Sequence, residues 1–107
     1  MLLKIDLTTF YTRGDERRFF QGLSDISAIK NIRGDGRGLV MTLNLRHLNK
    51  EMTRELIAIL WRYSISLAPL AMLAGNKRFL WLKDERLYWY GSMFSINVSQ
   101  HAETRSD

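Results

Sequence analysis

Cysteine is absent from the 107 residues, which excludes disulfide staples and thiolate chemistry. Proline occurs once, at Pro69, so no proline-rich linker divides the chain. The two histidines, His47 and His101, stand far apart, and no closely spaced His/Asp/Glu set resembles a metal-ligand cluster. Both read as surface residues, and no metal or cofactor is expected. Long hydrophobic runs are missing too. The most apolar region, residues 56–75, is interrupted by Arg62, Ser64 and Ser66 and contains Pro69, so it does not make a membrane span. The opening Met-Leu-Leu-Lys-Ile-Asp lacks the features of a signal peptide, and a cytoplasmic protein is the expectation. Nowhere do five like charges adjoin, so there is no basic tail or arm.

What remains is the composition of a globular domain. The 46% hydrophobic fraction argues against disorder, and the length fits one α+β domain over residues 1–96 with a polar tail at 97–107. Net charge is +5, from sixteen Lys/Arg against eleven Asp/Glu. Such an excess favours encounter with acidic partners or nucleic acid.

Hydrophobic periodicity supplies the elements. Leu3, Ile5 and Leu7 alternate with Lys4 and Asp6, which reads as a half-buried strand over residues 2–8. Gly14-Asp15 opens a short helix, with Asp15 as N-cap and Phe19, Phe20 and Leu23 as apolar contacts. Residues 26–33 and 38–45 form a hairpin around Gly34-Asp-Gly-Arg-Gly38, with Leu39, Met41, Leu43 and Leu45 on one face. The earlier strand alternates less cleanly and belongs nearer an edge. Asn49 caps a helix from about Lys50 to Tyr63, whose stripe is Met52, Leu56, Ile59, Leu60 and Tyr63. Residues 64–75 fit either a strand beginning at Ile65 or a short helix from Pro69 to Ala74, followed by Gly75. The order β-α-β-β-α followed by a C-terminal β-hairpin predicts an antiparallel-rich sheet in a split β-α-β arrangement of the ferredoxin-like type.

That final hairpin carries the main functional clue. Residues 78–91 hold five aromatic residues, and two apolar runs flank Lys83-Asp-Glu-Arg86. Paired across such a turn, Leu80, Leu82, Leu87 and Trp89 share the inner face. Phe79, Trp81, Tyr88 and Tyr90 share the other, because strand side chains alternate. A sheet needs one face for its core, so the aromatic face must meet a helix, another sheet or a partner.

Other motifs carry less. Gly34-x-Gly36-x-Gly38 is followed by a strand, where a dinucleotide-binding loop would open a helix, so it reads as a hairpin turn. No serine or threonine has a recognisable nucleophile setting. Asp15-Glu16 and Asp84-Glu85 fall in turns or caps, where solvated carboxylates keep ordinary acidity. No catalytic residue is assigned, and the chain is read as no enzyme. Arg37-Gly38-Leu-Val-Met-Thr-Leu43 begins like the central motif of RNA-recognition domains, but Leu39 and Met41 replace the stacking aromatics. Base stacking would fall to Phe79, Trp81, Tyr88 and Tyr90, with Lys77, Arg78 and Arg86 beside them.

Tyr, Trp and Arg together are the types enriched at protein-interface hot spots. Through Phe79-Leu-Trp-Leu-Lys-Asp-Glu-Arg-Leu-Tyr-Trp-Tyr90, and in general build over residues 1–96, the chain resembles small bacterial immunity proteins that neutralise a cognate toxin. The resemblance implies a non-catalytic protein-binding module. Its expected contacts are Arg78, Phe79, Trp81, Arg86, Tyr88 and Tyr90, toward a toxin or a second copy of the chain. The basic helix face at Lys50 and Arg54 is the next candidate. Single-stranded nucleic acid is the alternative ligand.

Overall fold

The computed structural model describes residues 1–94, which fall into two compact units, the first Met1–Ile65 and the second beginning at Ser66. The expected polar tail at 97–107, with His101, lies outside the described residues.

The first unit is a split β-α-β arrangement with a second helix. Strand β1 (Leu2–Asp6) is followed by helix α1 (Arg13–Ser24), strands β2 (Ile29–Asp35) and β3 (Gly38–Leu43), and helix α2 (Lys50–Arg62). The sheet order is β1-β3-β2, and both outer strands run antiparallel to β3. The α+β expectation therefore holds. β1 and β2 are parallel to one another, and the chain crosses between them through α1.

Alternation explains the sheet. Leu3 lies opposite Met41 and Ile5 opposite Leu39. Leu3, Ile5, Leu39, Met41 and Leu43 are all buried, whereas Lys4 and Asp6 are exposed. β2 is an edge strand, as its weaker alternation implied, with an irregularity between Ile29 and Asn31. Gly36 and Arg37 make the turn to β3, with positive φ (62°) at Gly36. A positive φ at the first central residue alone is the type II′ pattern, which follows strand twist.

The helices complete this core with Phe19, Leu23, Leu56, Ile57 and Leu60. α2 starts as expected at Asn49, whose side-chain oxygen accepts from the Met52 amide at 2.8 Å. The cap of α1 is a correction. Thr12, not Asp15, is the N-cap, and its hydroxyl accepts from the Asp15 amide at 3.0 Å. The short Thr12 side chain sits outside the first turn with extended backbone, where it reaches an otherwise unpaired amide. Asp15 lies inside the turn and pairs with Arg18 at 3.2 Å. The Cβ that Gly22 lacks would meet the Ile59 side chain at 3.0 Å, so α1 and α2 approach closely there.

An aromatic cluster closes the end of this unit. Phe10, Phe19 and Tyr63 lie mutually within 5.7 Å, and Phe20 stacks on Phe19 at 5.2 Å, all with tilted or edge-on rings. Such geometries satisfy the ring quadrupole as well as burying area. α2 then stops in a Schellman motif. Ser64 donates to the Trp61 carbonyl at 3.1 Å and Ile65 to that of Leu60 at 2.9 Å. Ser64 has φ of 59°, the left-handed conformation that glycine usually supplies at this position. Replacing Ser64 with Gly removes the Cβ penalty and should raise stability by about 1 kcal/mol, measured by chemical denaturation. A variant no more stable than wild type would show that the serine is unstrained.

The second unit departs from expectation. Ala68–Gly75 is a 3-10 helix with Pro69 in its first turn, which resolves the ambiguity over 64–75 toward helix. Lys77–Lys83 is also 3-10, and residues 90–94 are helical. The expected hairpin over 79–90 is not formed. Side chains at both ends compete with ladder bonds: Asn76 accepts from the Arg78 amide at 2.9 Å, and Asp84 from the Arg86 amide at 3.0 Å. The backbone follows, with Phe79 donating to the Asn76 carbonyl and Leu87 to that of Asp84. Phe79 and Leu82, three residues apart, are buried in this unit's core with Leu70, Leu73, Trp89 and Met93.

Candidate interaction surface

Because the hairpin gives way to 3-10 turns, its two faces are redistributed. Phe79, expected on the outer face, is 1% exposed, and Leu80, expected inside, is 52% exposed. The difference is one of period. The backbone kinks at Phe79, and beyond it a repeat near three puts Leu80 and Lys83 on an exposed ridge with Leu82 beneath. Leu82 and Trp89 are buried as the inner face required, and Leu87 is half-buried.

Three aromatics remain contiguous. Trp89 is held by its indole N–H, which donates to the Leu82 carbonyl at 3.3 Å. Trp81 and Tyr88 each meet it edge-on, with centroids at 5.9 Å and 5.1 Å. Trp81 is half-buried and Tyr88 is 54% exposed, so the expected contact residues are neither both bare nor both enclosed. Tyr90 is half-buried and stacks on Phe94 at 5.1 Å. Of the six residues expected to meet a partner, Arg78, Arg86 and Tyr88 are exposed, Trp81 and Tyr90 partly so, and Phe79 serves the core. Leu80 joins the surface unforeseen, as does Met72 on the preceding 3-10 helix, 62% exposed.

The two arginines behave differently. Arg78 places its guanidinium 5.1 Å from the Phe79 ring centroid, a cation–π contact that leaves the head near solvent. Arg86 grips Asp84 with two side-chain bonds, Nε to Oδ1 at 3.0 Å and Nη2 to Oδ2 at 2.8 Å. Those bonds, then the Arg86 backbone amide, hold the Asp84 carboxyl down at about 2, and the arginine is raised in turn. The ordinary acidity expected of this carboxylate is thus corrected, by a fork geometry that matches guanidinium to carboxylate. A carboxyl lowered by folding binds fewer protons than its unfolded counterpart between the ordinary value of 3.8 and about 2. Its stabilising contribution is therefore complete above pH 4 and disappears as pH falls through that window. In acid titrations, Asp84→Asn should show a shallower loss of stability over the same range. Parallel profiles would show that the pair contributes nothing.

Recesses open on the surface of the first unit. One, of about 320 Å³, is lined by Thr8, Tyr11, Asp15, Arg62, Tyr63 and Ser64. Thr8 donates to the Tyr63 carbonyl there at 2.8 Å, and Tyr11 is 95% exposed. Another, of about 390 Å³, follows α1 and α2, with Ile26, Met52 and Ile59 among Asp25, Glu51 and Glu55. Lys50 and Arg54 are exposed on α2.

Ser27 Oγ and His47 Nε2 lie 2.8 Å apart, joining the approach to β2 to the turn before α2. Both are exposed, as read for His47, and Met52 sulfur is the hydroxyl's other neighbour at 3.9 Å. Among the described residues no group of three His, Cys, Asp or Glu is placed to hold a metal, and no helix is long and apolar enough to cross a membrane. No protein-family model, curated protein or solved structure matches this chain.

Proposed function

We propose that the chain is a non-catalytic protein-binding module whose contact surface is the Tyr88–Trp81 side of the second unit, extended by the Leu80 ridge. The observation that carries this reading is Tyr88: a large amphipathic ring, 54% exposed, braced edge-on against a buried tryptophan. A pre-positioned tyrosine offers contact area at small entropic cost, and Tyr, Trp and Arg dominate interface hot spots. Four cations (Lys77, Arg78, Lys83, Arg86) against two carboxylates (Asp84, Glu85) in this stretch favour an acidic or apolar partner. In its most concrete form the module is a cytoplasmic immunity protein that binds and neutralises a cognate bacterial toxin.

Growth rescue tests that form. The chain is co-expressed with the product of the neighbouring reading frame, and the pair is then titrated by calorimetry. Tyr88→Ala should weaken binding by roughly 10- to 100-fold, about 1–3 kcal/mol, with thermal unfolding unchanged. Retained affinity would move the contact surface elsewhere, first to Lys50 and Arg54.

Single-stranded nucleic acid is the second reading, supported by Trp81 and Tyr88 standing in a stretch with Lys77 and Arg78. Labelled RNA and DNA oligomers, titrated at low and moderate salt, separate the two. Micromolar affinity that falls steeply with salt and is lost in Trp81→Ala would replace the protein partner with a phosphate backbone.

A further inference from the structure

Among the described residues, the outer edge of β1 is an unspent row of hydrogen-bonding groups. Met1 and Leu43 exchange backbone bonds at 2.9 and 2.7 Å, and Leu7 donates to the Arg37 carbonyl at 3.1 Å. In that register the odd-numbered residues face β3, and the amides and carbonyls of Leu2, Lys4 and Asp6 point away from it. β1 ends the sheet, and among the described residues those outward groups have no backbone partner. The three side chains are exposed.

We propose that this edge pairs antiparallel with β1 of a second copy of the chain, about a two-fold axis at Ile5, joining two sheets into one. Residues 2–8 are complementary to themselves in that arrangement. Lys4 stands opposite Asp6 of the second copy, and Asp6 opposite its Lys4. On the other side Ile5 meets Ile5, and Leu3 meets Leu7, which is only half-buried within one copy. The bonding groups of Lys4 and Asp6 face each other, as antiparallel pairing requires.

Neighbouring registers are rejected by the same residues. A slip of two positions one way sets Lys4 against Lys4, and the other way Asp6 against Asp6; like charges directly opposite are destabilising. A slip of one turns the bonding groups away from each other and reverses the faces. The opposite edge of the sheet lacks this complementarity. β2 carries the irregularity between Ile29 and Asn31, and both Lys30 and Arg33 are basic, devices that keep an edge unpaired. Within one copy Lys4 meets Asp35 only at 3.5 Å, with both side chains well exposed, so that pair does not hold Lys4 away from a second strand.

Sedimentation velocity of the full chain, from micromolar to millimolar concentration, tests the proposal with three variants. Wild type should show a concentration-dependent dimer. Lys4→Asp and Asp6→Lys each turn both charge pairs repulsive and should weaken it by at least about tenfold. An equimolar mixture of these two variants should dimerise, and so should the chain carrying both changes, because opposite charges again face each other. Circular dichroism and thermal unfolding confirm that each variant is folded. A wild type that stays monomeric throughout would overturn the proposal. So would a dimer indifferent to both single changes, or a mixture that fails to restore it.

Discussion

Replacing Leu82 with Asp should unfold the second unit, whereas replacing Leu80 with Asp should leave it standing. Leu82 is fully enclosed, and its carbonyl receives the indole N–H of Trp89 at 3.3 Å. A carboxylate at that side chain has no cation provided for it, and the leucine's contacts are lost as well. The combined cost is about 4 kcal/mol or more, comparable to the whole stability of a marginal domain. Leu80, 52% exposed, should tolerate the same change within about 0.5 kcal/mol. The contrast discriminates between architectures. In a β-hairpin both leucines would share the inner face and both changes would be severe. In the 3-10 helix they lie on different sides. Thermal unfolding followed by tryptophan emission reads the result, and equal effects of the two substitutions would restore the hairpin.

The second large effect is expected at Gly38. A Cβ built there would fall inside the contact distance of the Ile5 carbonyl oxygen, which is backbone and cannot rotate away. Gly38→Ala must therefore push β1 from β3 just where Asp6 pairs with Gly38 and Leu7 donates to Arg37. A loss of about 2–4 kcal/mol is expected from such an overlap. Gly34, with nothing within 4 Å of its missing Cβ, is the control and should accept alanine almost freely. Equilibrium denaturation of both variants measures the difference. A small effect at Gly38 would mean that β1 shifts along β3 without penalty.

β1 and α2 were legible because each has one dry side and one wet one. Leu3, Ile5 and Leu7 against Lys4 and Asp6 admit only a strand, and the α2 stripe recurs at intervals no strand would bury. Asn49, Gly36 and the edge position of β2 were equally visible. Residues 77–90 were not, because Phe-Leu-Trp-Leu satisfies a period of two and a period near three at once. What decides between them is polar: Asn76 and Asp84 turn their side chains onto nearby amides, and those bonds do not show in a hydrophobic pattern. Tyr88, Trp81 and Arg78 belong to no strand face, yet keep part of their exposure in a different geometry. Phe10 carries no periodic signal because it lies in a loop, and its role appears only where Phe19 and Tyr63 converge on it. The left-handed Ser64 left no signal, since nothing in Tyr-Ser-Ile distinguishes it from a helical residue.

Placing β3 between β1 and β2 also sets an order of events in time. β2 and β3 close over Gly36 and Arg37, a local pairing that costs little loop entropy and forms on the microsecond scale. β1 must then find the free side of β3 across the whole of α1, since Lys4 pairs with Val40. Such non-local closure is the slow step in small domains. Substitutions in the β2–β3 turn, which forms before that step, should therefore act mainly on the folding rate.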